Sequence, residues 1–163
     1  IWVPEEVLGA EPPDTLDGMV GTIDVAPTLL QLAKARPCNG RKCRRMDGVS
    51  LLGALRGGNT LRNRRLLFEI GGGCPRFRTV RTGRYQYTEW MRKVRFGPPA
   101  KRCRPGEREL YDLKDDPAML ENKLRRRGAR GPTVRRFERL AKRLSRCSGI
   151  RGRERRDKAP FCG

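Results

Sequence analysis

What most limits the fold of this chain is a set of β-forming runs between residues 66 and 113, joined by turn chemistry. Leu66-Leu67-Phe68-Glu69-Ile70 is an apolar strand that ends on three glycines. Residues 78–82 and 85–90 are two further strands around Gly83-Arg84, the length of a two-residue hairpin loop. A loop rich in Pro, Gly and Arg over residues 92–106 returns to a strand at residues 110–113. Asp115-Asp116-Pro117 stops that strand, because the aspartates bond nearby backbone N–H groups and proline cannot continue a ladder. Pro117 is also placed to open a helical turn through Leu120. The pattern predicts a small antiparallel sheet of about four strands.

Something must cover that sheet, and residues 133–147 supply it. Val134, Phe137, Leu140, Ala141 and Leu144 share one helical face, with arginines on the other. Upstream, Met19 to Ile23 is a short apolar segment leading into Asp24, which is placed to cap a helix whose first turn holds Pro27. Ala26, Leu29, Leu30 and Ala33 recur at helical spacing and predict one buried stripe. Further on, Gly48 permits a turn and Ser50 caps. Leu51, Leu52 and Leu55 then pack a short helix closed by Gly57.

Composition narrows the chemistry. Among 163 residues there is no histidine, which removes Ser-His-Asp catalysis, His general acid–base work and His-containing zinc sites from this chain. The net charge of +20 is unevenly placed: residues 1–33 hold six acids and no base, and all 38 bases follow. Such asymmetry invites a nucleic-acid reading. Against it, 30 of the 38 bases are Arg spread through every segment, and no basic-aromatic alternation suited to stacking bases occurs. An anionic substrate or matrix is compatible with the charge, and nucleic acid is the less favoured partner. Six cysteines allow fifteen pairings. Spacing favours Cys38 with Cys43, Cys147 with Cys162, and Cys74 with Cys103, as in an exported protein; metal binding competes, although no C-x-x-C occurs. No apolar run approaches a membrane span, and the opening Ile1-Trp2-Val3-Pro4 reads as a chain cut from something longer.

Four segments carry a resemblance. Residues 109–122, E-L-Y-D-L-x-x-D-P-x-x-x-x-N, look like the C-terminal signature of the sulfatases, sulfuric ester hydrolases of the alkaline-phosphatase-like superfamily. I-D-V-A-P-T-L-L-x-L-A at residues 23–33 is similar to the (V/I)-D-x-x-P-T-(L/I)-x-x-L-A segment near the close of their catalytic domain. D-G-x-S-L-x-x-x-L-x-G, from Asp47 to Gly57, follows at the family's distance. V-R-T-x-x-Y-x-Y, from Val80 to Tyr87, resembles V-R-T-x-x-x-K-Y, with Gln86 where Lys is common. The four segments stand in the family's order, and the resemblance extends over about residues 1–145.

The resemblance implies the α/β family fold, represented here by its C-terminal α+β part. Residues 1–58 would be the edge of the catalytic domain, 59–147 the C-terminal subdomain and 148–163 a basic tail. It implies sulfate-ester hydrolysis by a formylglycine made from Cys in a C-x-P-S-R or related motif, with Ca²⁺ held by Asp and Asn. In the family those motifs lie upstream of the matched segments. This chain is therefore expected to hold no catalytic residue, no metal ligand and no cofactor, and to be inactive alone. The runs starting at Cys74, Cys103 and Cys147 each depart from the modification motif, and disulfide pairing accounts for them. Asp112, Asp115 and Asp116 lack the Gly and distal Glu of an EF-hand and read as turn residues, while Glu69 reads as a solvated strand end. Arg76, Arg78 and Arg81 are the candidates for contacting an anionic substrate, since arginine forks suit sulfate oxygens. The implied substrate is a sulfated small molecule or glycan, with a lean toward glucosamine-6-sulfatase-like members. The implied location is secreted, extracellular or periplasmic. The rival readings are a phosphodiesterase or phosphonate hydrolase of the same superfamily, and a secreted basic polyanion-binding module.

Overall fold

The computed structural model describes residues 3–16, 18–39, 42–43, 46–71, 76–93, 103–125 and 131–145. The tail from residue 146 on, with Cys147 and Cys162, and the segment holding Cys74 lie outside the described residues. The chain packs as two compact units, divided between Arg64 and Arg65.

The first unit is built around one carboxylate. α1 (Glu5–Leu8) is a single turn closed by Gly9 in the left-handed region. Leu8 is buried, and its carbonyl accepts a bond from Arg56 Nε at 2.7 Å. A 3₁₀ turn over Thr22–Asp24 leads into α2 (Val25–Leu32). Asp24 stands at the start of α2 as expected, yet its side chain makes no cap within that helix. Its oxygens instead accept bonds from the N–H groups of Gly21 (2.8 Å) and Val49 (2.9 Å), and both are gripped by the Arg64 guanidinium at 2.7 and 2.8 Å. One turn on, Thr28 Oγ1 donates to the Asp24 carbonyl and accepts from the Leu51 N–H at 2.9 Å. Asp24 and Thr28 are fully buried.

Between the two docked segments lies a short antiparallel pair, β1 (Cys38–Asn39) and β2 (Lys42–Cys43), with Cys38 opposite Cys43. Cys38 is disulfide-bonded. α3 (Leu52–Leu55) follows, with Ser50 Oγ accepting from the Leu52 N–H at 3.3 Å and Gly57 closing it at φ 80°. Leu52 and Ala54 are buried. Gly48 is required for a different reason from the expected turn: a Cβ there would collide with the Ile23 carbonyl, so only glycine lets the two segments meet.

The expected buried stripe of α2 does not turn inward. Ala26 and Ala33 are exposed, Leu29 is 52% exposed and Leu30 is half-buried. The side of α2 that faces this unit carries Asp24 and Thr28, because its neighbours there are backbone N–H groups rather than side chains.

The second unit is the expected sheet and helix. β3 (Arg65–Ile70), β4 (Phe77–Thr82), β5 (Tyr85–Lys93) and β6 (Cys103–Asp112) pair antiparallel in sequence order. β5 and β6 run on into the Pro/Gly/Arg-rich stretch, which sequence assigned to a loop, and their pairing continues as far as Lys93 opposite Cys103. Pro105 is tolerated there because β6 is an edge strand and the ladder has already shifted register between Glu89 and Met91.

α4 (Pro132–Leu144) begins with proline in its first turn. Its five predicted apolar residues are all buried, together with Val80, Tyr87 and Leu110 of the sheet. Phe137 lies 5.7 Å from the Tyr85 ring and 5.9 Å from the Tyr87 ring, centroid to centroid.

The stretch after β6 is a polar clasp rather than a helix. Arg84, in the hairpin loop, holds Asp112 through Nε at 2.9 Å and Nη2 at 2.7 Å, and its carbonyl accepts from the Leu113 N–H. Asp116 accepts from the N–H groups of Leu120 and Glu121. Met119 at φ 58° sits in the left-handed region, which breaks the helical turn expected after Pro117. Asn122 then spans β6: its Oδ1 accepts from the Leu110 and Leu124 N–H groups and its Nδ2 donates to the Arg108 carbonyl.

Candidate functional site

The three arginines singled out from sequence do not converge. Arg76 is exposed just before β4, its backbone bonded to Ile70 and Met91. Arg78 is drawn into the sheet: its Nε meets Glu69 Oε1 at 2.7 Å and its Nη1 lies 3.7 Å from Glu89 Oε2. The cause is cross-strand register, which sets Arg78 opposite Glu69 on one side and Glu89 on the other. Glu69 is therefore an ion-pair partner as well as a strand end. Arg81 points to the other face of the sheet, where it donates to Gln86 Oε1 at 3.3 Å.

Around Arg78 the structure assembles a buried charged cluster that sequence did not single out. Glu89 is 4% exposed, and its Oε1 accepts from the Tyr87 hydroxyl at 3.0 Å. Burial pushes the Glu89 carboxyl above its ordinary 4.5, against the Tyr87 hydrogen bond and the positive charges of Arg78 and Arg108. Burial and the neighbouring Glu89 charge likewise push the Tyr87 hydroxyl upward. Arg108 is itself paired to Glu138 of α4 at 2.8 Å. The only sequence cue to this cluster is one acidic residue in the middle of an otherwise β-forming run, Tyr85-Gln86-Tyr87-Thr88-Glu89-Trp90.

On the opposite face, an open hollow of about 490 Å³ is lined by Phe68, Ile70, Phe77, Thr79 and Gln86, with Leu67 and Glu69 at its rim. Phe77 packs edge-on to Trp90 at 5.5 Å, and Trp90 Nε1 donates to Glu109. A second hollow, of about 400 Å³, is lined by Arg65, Arg136, Arg139, Leu140 and Arg143.

Among the described residues no group of three or more His, Cys, Asp or Glu is placed to hold a metal ion. The acidic residues nearest to such a group are engaged otherwise. The Arg84 fork holds Asp112 below the ordinary carboxylate range, and the Glu121 and Leu120 N–H groups do the same for Asp116. Cys38 is in a disulfide, so it is not a formylglycine precursor. No described helix is long and apolar enough to cross a membrane.

No family model and no curated protein matches the chain. Solved structures do. One is a 2-O GAG sulfatase, with TM-score 0.53 and 24% identity, the match covering 91% of this chain and 30% of that one. Another is a protein solved in complex with its substrate D-glucosamine-2-N,6-O-disulfate, with TM-score 0.53 and 17% identity, covering 76% of this chain and 23% of that one. At these identities the likeness carries the fold: the four-stranded sheet with its terminal helix matches the C-terminal part of sulfatases. The chain spans less than a third of the length of either relative.

Proposed function

We propose that this chain is the C-terminal part of a sulfatase that removes sulfate from a glycan. One observation carries the reading: 91% of the chain aligns in space with a 2-O GAG sulfatase, and the four sequence segments that resemble sulfatases fall within the described elements. The role of Asp24 and Thr28 supports it. The D-x-x-P-T segment and the D-G-x-S segment serve each other's backbone, which gives both motifs a physical purpose.

In this reading the segment up to about residue 58 closes the edge of a catalytic domain, residues 59–147 shape the substrate cleft and residues 148–163 form a basic tail. Formylglycine and Ca²⁺ belong to the upstream part. The rows of donors and cations suited to a sulfate ester would be completed by Arg76 and Arg81, which face no carboxylate among the described residues. The motif style of residues 109–122 leans to glucosamine-6-sulfatase-like members, while the solved relatives include a 2-O GAG sulfatase. The proposal is accordingly a sulfated glycan, whatever the position of its ester. Such a protein is exported, where its cysteines stay paired.

The test is to express the reading frame extended upstream of Ile1 and measure sulfate release from sulfated glycosaminoglycan fragments and an aryl sulfate. Release by the extended protein and none by the 163-residue chain is the expected result. Hydrolysis of phosphodiesters in place of sulfate esters, or an upstream frame with no Cys or Ser modification motif, overturns it.

A further inference from the structure

On the exposed side of α4, Arg136, Arg139 and Arg143 have no acidic counterpart among the described residues. Arg136, Arg139 and Arg143 recur at helical spacing on that side, and Arg65 joins them from the start of β3 to enclose the hollow of about 400 Å³ over Leu140. Glu138, the one acid within α4, is already paired to Arg108. None of the four arginines has an ion pair among the described residues. Lys142 and Arg143 in the last turn meet the negative end of the helix dipole, which accounts for their sign. It does not account for Arg136 in the second turn or for Arg65 on a strand. Gathering four guanidiniums around one hollow costs repulsion that a bound anion would relieve.

We propose that this hollow is an anchoring site for a sulfated glycan chain. Arg136 to Arg143 spans seven residues of helix, about 10 Å at 1.5 Å per residue, so the row meets sulfates on successive sugars rather than a single ion. Each guanidinium presents a planar fork that matches two sulfate oxygens, a geometry lysine lacks. The volume suits a sugar ring, and Leu140 gives the floor an apolar patch for one face of it. No aromatic side chain lines the hollow, so it offers nothing on which a nucleic-acid base could stack. The choice of a sulfated glycan rests on the function proposed above; the existence of an anion site does not.

The experiment uses the 163-residue chain and a heparin octasaccharide, with affinity measured by calorimetry across a range of salt concentrations. The triple variant Arg136→Gln, Arg139→Gln, Arg143→Gln is expected to bind at least tenfold more weakly, with a salt slope shallower by about 2–3. A control triple of equal charge loss at exposed positions, Arg36→Gln, Arg62→Gln, Arg125→Gln, is expected to change affinity less than threefold. The corresponding Arg→Lys triple keeps the charge and loses the forks; it is expected to bind severalfold more weakly with the slope unchanged. Equal losses in the site and control triples overturn the proposal, because binding would then follow net charge alone. Single-stranded DNA of matched charge binding as tightly as heparin, and weakening equally in the site triple, overturns the choice of glycan. No sulfate release enters these measurements, so failure of the sulfatase reading and failure of this site give different results.

Discussion

Asp24 is buried and answers to two backbone N–H groups and one guanidinium. Burial alone would raise its carboxyl, but the Arg64 side chain and the Val49 and Gly21 N–H groups outweigh that and hold it below its ordinary 3.8. A depressed acid contributes stability above its unfolded value and loses it as pH falls through its folded value. The first unit should therefore keep this contribution down to pH 3.8 and lose it only below. Asp24→Asn strands the Arg64 charge and turns a donor toward Val49 or Gly21, a cost of about 3–5 kcal/mol. The Val49 and Leu51 amides should then exchange with solvent far faster; protection equal to the native chain would remove Asp24 as the organising group. Glu89 behaves in the opposite sense. Its folded value is raised above 4.5, so its contribution is complete below 4.5 and is lost as pH rises through the folded value. Glu89→Gln retains an acceptor for Tyr87 and abolishes that decline. Melting curves followed at Trp90 between about pH 4 and 8 should diverge from the native curve only above 4.5; parallel curves would show that Glu89 does not titrate abnormally.

At the scale of elements, legibility depended on whether a segment's own spacing and turns fix its partner. The five apolar positions of α4 were readable from spacing because the sheet that receives them is local, and the Gly83-Arg84 hairpin fixed two strands with it. Phe137 bridges two tyrosine rings, so Phe137→Ala should cost about 3–5 kcal/mol and lower the melting temperature of the second unit. A loss under 1 kcal/mol in urea unfolding would mean that the helix is held chiefly by its other apolar residues. By contrast, the stripe of α2 rests on period alone, and period does not say what lies opposite. The Pro117 turn failed for a local reason, the left-handed Met119, which no side-chain rule requires. The pairing of Arg78 with Glu69 and Glu89 follows from cross-strand register, visible only once the strands are paired. The basic hollow was missed for the same kind of reason: Arg65 joins the α4 arginines only through folding.

At the scale of the whole molecule, the apolar side chains left in water are informative. Val7, Val20, Ile23 and Leu29 of the first unit are each roughly half exposed, as are Phe68, Ile70 and Trp90 of the second. Isolated apolar residues are ordinary on a surface, but several exposed on each unit of one short chain promote association. The 163-residue chain alone should self-associate in light scattering, and the upstream-extended protein should not. A clean monomer of the short chain across a hundredfold concentration range would show that these faces are content in solvent. The net charge of +20 opposes association, so raising salt should enlarge the aggregates.

The grip of Asp24 and Thr28 on Val49 and Leu51 has a further effect on the segment between them. The two bonds join residues 24 and 28 to residues 49 and 51, so the length of chain between them carries little information. Lengthening such a loop twofold costs only about 0.6 kcal/mol in closure entropy. The span around Cys38 is therefore a natural graft point, where foreign sequence could be spliced in while the rest of the unit keeps its geometry.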